Sequence, residues 1–219
     1  MLLSTAYFPS VTWFALLSRD MTLTPDRVIP STVFLEACET YQKQSYRNRC
    51  CILAGDGVQM LQVPVVHAGS MRIAEVRVDW STPWLVRTQR ALDAAYYTSA
   101  YYEYYRDELF EVMSMRPALL WDWNLSLTEF LLDKTGIACH LVPTSSFVAP
   151  AVAGPDDFRS AIHPKRPSGL LSTLGLDRPY YQVFADRFGF TPDLSVLDLL
   201  FNEGPDAILW LKRGPLAIG

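Results

Sequence analysis

Hydrophobic and polar residues follow two different periods along this chain. Two β-prone runs within residues 50–66 flank Asp56-Gly57, and such a pair favours a tight hairpin because both residues tolerate positive φ. Residues 82–134 follow a helical period instead, which Arg116-Pro117 divides into at least two helices. The pattern predicts an α/β or α+β fold in a single mixed domain, with a β-hairpin near 50–66 and a helical middle section near 82–134.

Shorter patterns predict the remaining elements. Residues 11–19 carry an apolar face and predict a helix. Ser195 and Asp198 fit a capping box before the apolar run 194–202, so Ser195 is expected at a helix N-terminus. The segment 144–176 is rich in proline and glycine, and we expect it to be loop-rich. Further strands are expected at residues 1–8, 32–36, 73–79, 137–142 and 208–211.

The composition narrows the class of protein. The chain has 219 residues, 50% of them hydrophobic, so it can bury a core without disulfides or metal ions. The formal net charge of −4 argues against a broad basic face for nucleic acid, so any anion site must be local. No apolar run approaches the roughly 18 residues that cross a bilayer. We therefore expect a soluble, cytoplasmic protein with no nucleic acid partner and no membrane span.

One short segment concentrates cations and amides in this acidic chain. Residues 41–52 contain Lys43, Arg47 and Arg49 together with Asn48, just before an apolar run. Arginine forks match phosphate or carboxylate oxygens in pairs, and the asparagine adds an oriented donor. The segment is therefore a candidate clamp for an anion. The alternative is a solvated turn packed through the aliphatic stems of its cations.

Six tyrosines lie on one predicted helix, and four of them follow the spacing of a shared face. Such a face suits a sugar ring or a base, but core or interface packing explains the same pattern. The six are Tyr96, Tyr97, Tyr101, Tyr102, Tyr104 and Tyr105, and the shared face holds Tyr97, Tyr101, Tyr104 and Tyr105.

Two residues are candidates for acid–base catalysis. His163 lies in the predicted loop beside Lys165 and Arg166, which disfavour its charged form and keep it a usable base near neutral pH. Asp198 is the weaker candidate, because a capping box already explains it. The chain lacks P-loop, G-x-G-x-x-G and H-E-x-x-H motifs, so no metal site is predicted and no motif assigns a cofactor.

Six short motifs follow one another from near one end of the chain to the other. They are AYFPS at 6–10, YQKQSYRNR at 41–49, LQVP at 61–64, RALDAAY at 90–96, YYQVF at 180–184 and LSVLDLL at 194–200. No single motif is specific, but in this order they resemble the WbqC-like family. The loop at residues 162–165 resembles the Bacteroides-type subgroup. The resemblance implies one WbqC-like domain over residues 1–219, with a loop-rich segment at 144–176.

The resemblance also implies a function. The family is associated with O-antigen and other surface-polysaccharide gene clusters, which implies a transferase that moves an acyl or aminoacyl group onto a nucleotide-activated sugar. The implied partner is a nucleotide sugar or another phosphorylated small molecule. One departure is visible, because Thr88 stands after Trp84 where relatives often carry a histidine. The family pattern falls on Lys43, Asn48, Arg49, Pro64, Tyr96, Gln182, Ser195 and Asp198.

The transferase hypothesis gives the clamp residues binding roles. Lys43, Arg47 and Arg49 would hold a diphosphate, and Asn48 and Gln182 would orient the sugar or the donor. We expect the side chains of Lys43, Asn48 and Arg49 to converge with that of Gln182 on one concave site.

The same hypothesis assigns stacking to Tyr96 and acid–base chemistry to His163, with Asp198 as a second catalytic candidate. A different class of function stays open, namely a non-catalytic binding or assembly protein of the same pathway. In that case the tyrosine face would be the surface that contacts the partner.

Overall fold

The structure is a computed structural model that describes residues 1–24, 26–66, 70–166 and 169–212. Its architecture is mixed α/β, as predicted. The strands are β1 (Leu2–Leu3), β2 (Thr22–Thr24), β3 (Arg27–Ile29), β4 (Ser31–Leu35), β5 (Arg49–Ala54), β6 (Gly57–Gln62) and β7 (Cys139–Pro143). The helices are α1 (Val11–Ser18), α2 (Trp84–Tyr96), α3 (Tyr102–Ser114), α4 (Leu120–Thr135), α5 (Pro150–Ala153), α6 (Leu170–Thr173), α7 (Ala185–Phe188), α8 (Val196–Glu203) and α9 (Ala207–Leu211).

Three parallel strands form a sheet in the order β1-β4-β7. β4 pairs in parallel with β1 on one side and with β7 on the other. Val33 and Leu35 of β4 are buried, whereas Phe34 between them is exposed. Because successive side chains of a strand point to opposite faces, one face of β4 belongs to the core. α1 packs against this strand.

β5 and β6 form the predicted hairpin, as an antiparallel pair that runs from Arg49↔Gln62 to Ala54↔Gly57. Gly57 has a φ of +118°, a conformation that strains any residue with a side chain. The Asp-Gly turn is therefore confirmed. The second strand is shorter than the sequence pattern suggests, because it ends at Gln62 and not near residue 66.

The helical middle section is confirmed as α2, α3 and α4. Gly136 ends α4 with a φ of 68°, and its amide bonds back to the carbonyl groups of Asp133 and Leu132. The ring of Trp123, in α4, is fully buried and lies 5.6 Å from the ring of Tyr7 and 5.2 Å from that of Trp84. This helix thus joins the N-terminal segment to α2 through aromatic packing.

Serine caps begin both α1 and α8. Ser10 accepts from the amide of Trp13, and Ser195 accepts from the amide of Leu197, so the predicted cap at Ser195 is confirmed. The two helix starts are joined directly, since the amide of Val11 donates to the carbonyl of Leu194 at 2.9 Å. α1 and α8 also pack against each other.

Two predicted strands are wrong. Residues 73–79 begin as the 3-10 turn Ile73–Glu75, and their backbone then bonds to the segment before α4, with Val78 N donating to Ala118 O at 3.0 Å. Residues 208–211 belong to α9, which continues the turn Gly204–Asp206 and packs against α1. A four-residue apolar run is compatible with either element, so periodicity could not distinguish them. The first predicted strand, 1–8, is only Leu2–Leu3.

The segment 144–176 contains α5, the 3-10 turn Gly154–Asp156 and α6, joined by loops. Residues 167 and 168 of this segment lie outside the described part of the chain. Among the described residues, no helix combines the length and the apolar character needed to cross a bilayer.

Candidate functional site

A cavity of about 450 Å³ lies between the loop that carries His163 and the segment before α8. We call it the His163 cavity. Apolar side chains and prolines form much of its wall, and charged groups of both signs come from its two loops. It is lined by Tyr46, Cys51, Val58, His163, Pro164, Lys165, Arg166, Leu171, Thr191, Pro192, Asp193 and Leu194.

A tight turn fixes the imidazole of His163. The amide of Arg166 donates to the carbonyl of His163 at 3.1 Å, and the amide of Lys165 donates to His163 Nδ1 at 3.1 Å. Burial lowers the pKa of His163, and the charges of Arg166 and Lys165 lower it further. The ring is therefore mostly neutral at pH 7, and because Nδ1 accepts a hydrogen bond, its proton is assigned to Nε2.

A second concavity, of about 380 Å³, is built on the clamp segment and the base of the hairpin. We call it the clamp pocket. Asn48 is 2% exposed and donates from Nδ2 to Val63 O at 2.8 Å, which fixes the orientation of its amide. Asn48 Oδ1 and Arg49 Nε are buried without a hydrogen-bond partner in the described structure. The lining residues are Tyr41, Lys43, Gln44, Asn48, Arg49, Gln62, Pro64 and Val65.

The clamp segment, the cation-rich stretch at residues 41–52, separates the two concavities. Gln44, which lines the clamp pocket, has a φ of 59° and its Oε1 accepts from Nζ of Lys165, which lines the His163 cavity. Tyr46 of the same segment faces the His163 cavity. The contact between Gln44 and Lys165 therefore links the walls of the two concavities.

Arg47 does not line the clamp pocket with Lys43, Asn48 and Arg49. The residue is 4% exposed, and its Nε and Nη2 donate to the Glu39 carboxylate at 2.8 and 2.6 Å. Nη2 also donates to Ser4 Oγ at 2.7 Å. These contacts occupy Nε and Nη2, so Arg47 joins the clamp segment to Ser4 near the start of the chain.

Asp198 lies at the centre of a buried polar network that we call the Asp198 network. Its Oδ1 accepts from Tyr180 Oη at 2.8 Å and from Gln182 Nε2 at 3.0 Å, and its Oδ2 accepts from Tyr96 Oη at 3.0 Å. Burial raises the pKa of Asp198 to about 6, although the three hydrogen bonds lower it. Asp198 and Gln182 are each 1% exposed.

The expected convergence of Gln182 with the clamp residues is wrong. Gln182 Nε2 donates to Thr191 O at 2.9 Å, and Gln182 Oε1 accepts from Thr191 N at 2.8 Å. The side-chain amide of Gln182 thus makes a pair of hydrogen bonds with the backbone of Thr191, a residue that lines the His163 cavity. Gln182, which is bonded to Asp198, therefore fixes Thr191 in the wall of the His163 cavity. Lys43, Asn48 and Arg49 line the clamp pocket instead.

Comparison with protein families gives a match over most of the chain. Residues 6–155 match the model of the WbqC-like protein family, which is more than half of the chain. This chain belongs to the WbqC-like family. The matched stretch contains every described residue of the clamp pocket, whereas His163, Gln182 and Asp198 lie beyond its end.

The WbqC-like chain is also similar to Rv1507c, an uncharacterized protein of Mycobacterium tuberculosis. The two are 26% identical over 201 residues, which cover 78% of this chain and 84% of the mycobacterial protein. No solved structure gives a significant match.

The tyrosines of the WbqC-like chain do not form the predicted face, because the chain leaves the helical path between α2 and α3. Tyr96 and Tyr102 are buried and each donates its hydroxyl to an aspartate, Asp198 or Asp93. Tyr104 is 80% exposed and stands apart from them. Of the four tyrosines expected to share one helical face, Tyr97, Tyr101 and Tyr104 are exposed and Tyr105 is buried. They do not lie on one helix, because α2 ends at Tyr96 and α3 begins at Tyr102.

Two residues of the His163 cavity, Asp193 and Cys51, were not predicted from the sequence as site residues. Asp193 has a φ of 55°, and its Oδ1 accepts from Thr12 N at 2.8 Å, so its carboxylate is held at the N-terminal end of α1. Cys51 lines the same cavity, and burial, with the charge of Asp193, raises the pKa of its thiol. A thiol kept protonated is a poor nucleophile. The sequence signal for Asp193 was weak, because it merely precedes a capping box.

A further group of buried charges follows the carboxyl end of β4. Glu36 is 0% exposed and accepts from Arg159 Nη1 at 3.0 Å and from Thr144 Oγ1 at 2.6 Å. Arg159 also pairs with Asp157. This edge of a parallel sheet often binds ligands, but these groups already bond to one another. Across the described ranges, no cluster of three His, Cys, Asp or Glu residues is arranged for a metal ion.

Proposed function

We propose that this protein is a transferase that acts on a nucleotide-activated sugar in surface-polysaccharide biosynthesis and transfers an acyl or aminoacyl group. The observation that carries the proposal is the pair of concavities on either side of the clamp segment. One combines cationic side chains with buried polar atoms that lack partners, and the other holds a neutral imidazole beside two cations. Membership of the WbqC-like family supports the pathway.

In this proposal the clamp pocket binds the nucleotide sugar. Lys43 and Arg49 hold the diphosphate, because both offer donors and the arginine can bind two oxygens at once. Asn48 Oδ1 is buried and lacks a partner in the described structure, and in this proposal a local rearrangement on binding lets it accept a hydrogen bond from a hydroxyl group of the sugar. Leaving such an atom unpaired costs about 1–3 kcal/mol, which ligand binding would recover.

The chemical step takes place on the side of the clamp segment where His163 lies. The amino group of the sugar attacks the carbonyl carbon of the donor, the bond from that carbon to the leaving group breaks, and the amine proton passes to the leaving group. His163 donates a hydrogen bond from Nε2 to the oxyanion that develops, and Lys165 and Arg166 stabilise the same charge. To act as a base at Nε2, His163 must first give up the hydrogen bond from Lys165 N.

Incubation of the purified protein with nucleotide amino sugars and acyl or aminoacyl donors, followed by mass spectrometry, tests the proposal. We expect a product mass equal to the sugar plus the transferred group. His163→Asn should reduce the rate by about 10²-fold or more. Lys43→Met should mainly raise KM for the nucleotide sugar. If no pair of substrates gives product although nucleotide sugars bind, the transferase assignment is wrong.

A non-catalytic role in the same pathway is the second candidate. The observation that favours it is the exposure of Tyr104 and Tyr97, which are 80% and 66% accessible on the surface around the α2–α3 junction. Exposed tyrosines are enriched at protein interfaces. Binding of a pathway protein that Tyr104→Ser abolishes, without any transferase activity in the wild type, would support this candidate.

A further inference from the structure

We infer that the His163 cavity binds an α-amino acid or its aminoacyl derivative, with the ammonium group against Asp193 and the acyl end against Lys165 and Arg166. This inference deepens the proposed function, on which its role in catalysis rests, by choosing the aminoacyl group over simple acyl groups. It also divides the substrates, since the diphosphate of the nucleotide sugar stays in the clamp pocket while the amino group of the sugar reaches the His163 cavity.

The charges of the cavity are the first argument. Asp193 comes from the segment before α8, whereas Lys165 and Arg166 come from the loop that carries His163. A zwitterion satisfies both signs at once, because each of its groups meets the opposite charge. A simple acyl donor leaves the carboxylate without a counterpart, and a purely anionic ligand is repelled by it.

The fixed position of Asp193 is the second argument. Its carboxylate is held by the amide of Thr12 at 2.8 Å, in a backbone conformation with a φ of 55°. Burial raises the pKa of this carboxyl, and the hydrogen bonds at Thr12 and Ser10 offset only part of the lost solvation. A nearby cation stabilises the charged form of such a partly buried carboxylate, and the ammonium group of an amino acid is such a cation.

The apolar wall is the third argument. Val58, Leu171 and Leu194 line the same cavity as the charges. An apolar amino-acid side chain can therefore be buried beside its own charged groups. The clamp pocket offers mainly polar side chains instead, which suits the hydroxyl and phosphate groups of a nucleotide sugar.

A matched set of small probes tests the inference by isothermal titration calorimetry on the full-length protein. L-leucine carries both charges, 4-methylpentanoate lacks the ammonium group, isopentylamine lacks the carboxylate and leucine methyl ester lacks only the negative charge. We expect leucine or its ester to bind at least about tenfold more tightly than 4-methylpentanoate. If the ester exceeds leucine, the natural ligand is an activated aminoacyl group and not the free amino acid.

Asp193→Asn is the decisive variant, because asparagine tolerates positive φ and still accepts a hydrogen bond from Thr12 N. It should weaken leucine binding at least about tenfold, and it should not weaken binding of 4-methylpentanoate, because the repulsion between two carboxylates is removed. Arg49→Gln, in the clamp pocket, is the matched control and should leave leucine binding intact. Equal binding of leucine and 4-methylpentanoate, or no effect of Asp193→Asn, overturns the inference.

These outcomes separate the inference from the proposed transferase. Leucine binding that depends on Asp193, without transfer to any sugar, keeps the inference and rejects the transferase. Transfer that uses a simple acyl donor as efficiently as an aminoacyl donor keeps the transferase and rejects the inference.

Discussion

The Asp198 network and the clamp pocket both contain residues on which the family pattern falls, yet their polar atoms are satisfied to different degrees. Each oxygen of Asp198 accepts at least one hydrogen bond from a buried side chain. In the clamp pocket, Asn48 Oδ1 and Arg49 Nε have no partner among the described residues. The first region completes its hydrogen bonds within the protein, and the second keeps two buried polar atoms unpaired within the described structure.

Arg47 and Arg49 of the clamp segment also differ in how far the protein satisfies their hydrogen-bond donors. Arg47 is buried and bonded to Glu39 and Ser4, whereas Arg49 makes only a weak contact from Nη1 to the sulfur of Met60 at 3.6 Å. A motif that contains both can therefore serve structure and binding together. An unpaired buried polar atom costs about 1–3 kcal/mol, and a ligand that pairs it would recover this cost.

The largest expected effect is the loss of stability in Arg47→Met. Removing this side chain leaves the Glu39 carboxylate buried without its cation, which should lower the free energy of unfolding by about 3–5 kcal/mol. Urea unfolding of Arg49→Met, the matched control, should show a loss below about 1 kcal/mol. If Arg47→Met does not fold, Arg47→Met/Glu39→Gln should recover folding. If Arg47→Met and Arg49→Met lowered the free energy of unfolding equally, the two arginines would not differ in their contribution to stability.

The next effect is a pH dependence that comes from Asp198. Its pKa is about 6 in the folded protein and about 3.9 in an unfolded chain, so the folded state binds the extra proton between these values. Stability from this group therefore rises as the pH falls from 7 to 4. Relative to Asp198→Asn, the free energy of unfolding of the wild type should rise by about 2 kcal/mol over this range, as measured by urea unfolding. A difference that stays constant with pH would mean that Asp198 is not the titrating group.

Arg49→Ala tests whether the clamp pocket binds a nucleotide sugar. It should weaken binding of a nucleotide sugar by about 1.5–3 kcal/mol, because a charged hydrogen bond is lost, while stability changes little. Arg49→Lys keeps the charge but loses the planar fork, so its affinity should lie between those of Arg49→Ala and the wild type. Calorimetric titration measures both. Unchanged affinity of a folded Arg49→Ala would remove the clamp pocket as the nucleotide-sugar site.

The smallest effects are expected at the tyrosines. Tyr96→Phe removes a hydrogen bond to Asp198 and should cost about 1.5 kcal/mol of stability. Tyr104→Ser, at an exposed position, should change stability by less than about 0.5 kcal/mol. A large loss in thermal unfolding of Tyr104→Ser would show that this side chain supports the fold.

Local signals made much of the fold predictable. The Asp56-Gly57 hairpin and the cap at Ser195 depend on residues close together in sequence, and both are confirmed. The site was predictable only in part, because the partners of Arg47 and Gln182 are set by tertiary contacts that no periodicity encodes. Asp193 was missed for the same reason, since its contact with Thr12 joins distant parts of the chain.

The junction between α1 and α8 has a consequence for the order in which the protein is made. α1 leaves the ribosome early, but the backbone bonds between Val11 and Leu194 and between Pro9 and Val196 form only when α8 has also emerged. A nascent chain that ends near residue 155, where the family match stops, already contains the clamp pocket but not the helix that holds α1. Such a chain should stay open to proteases and chaperones until synthesis passes α8.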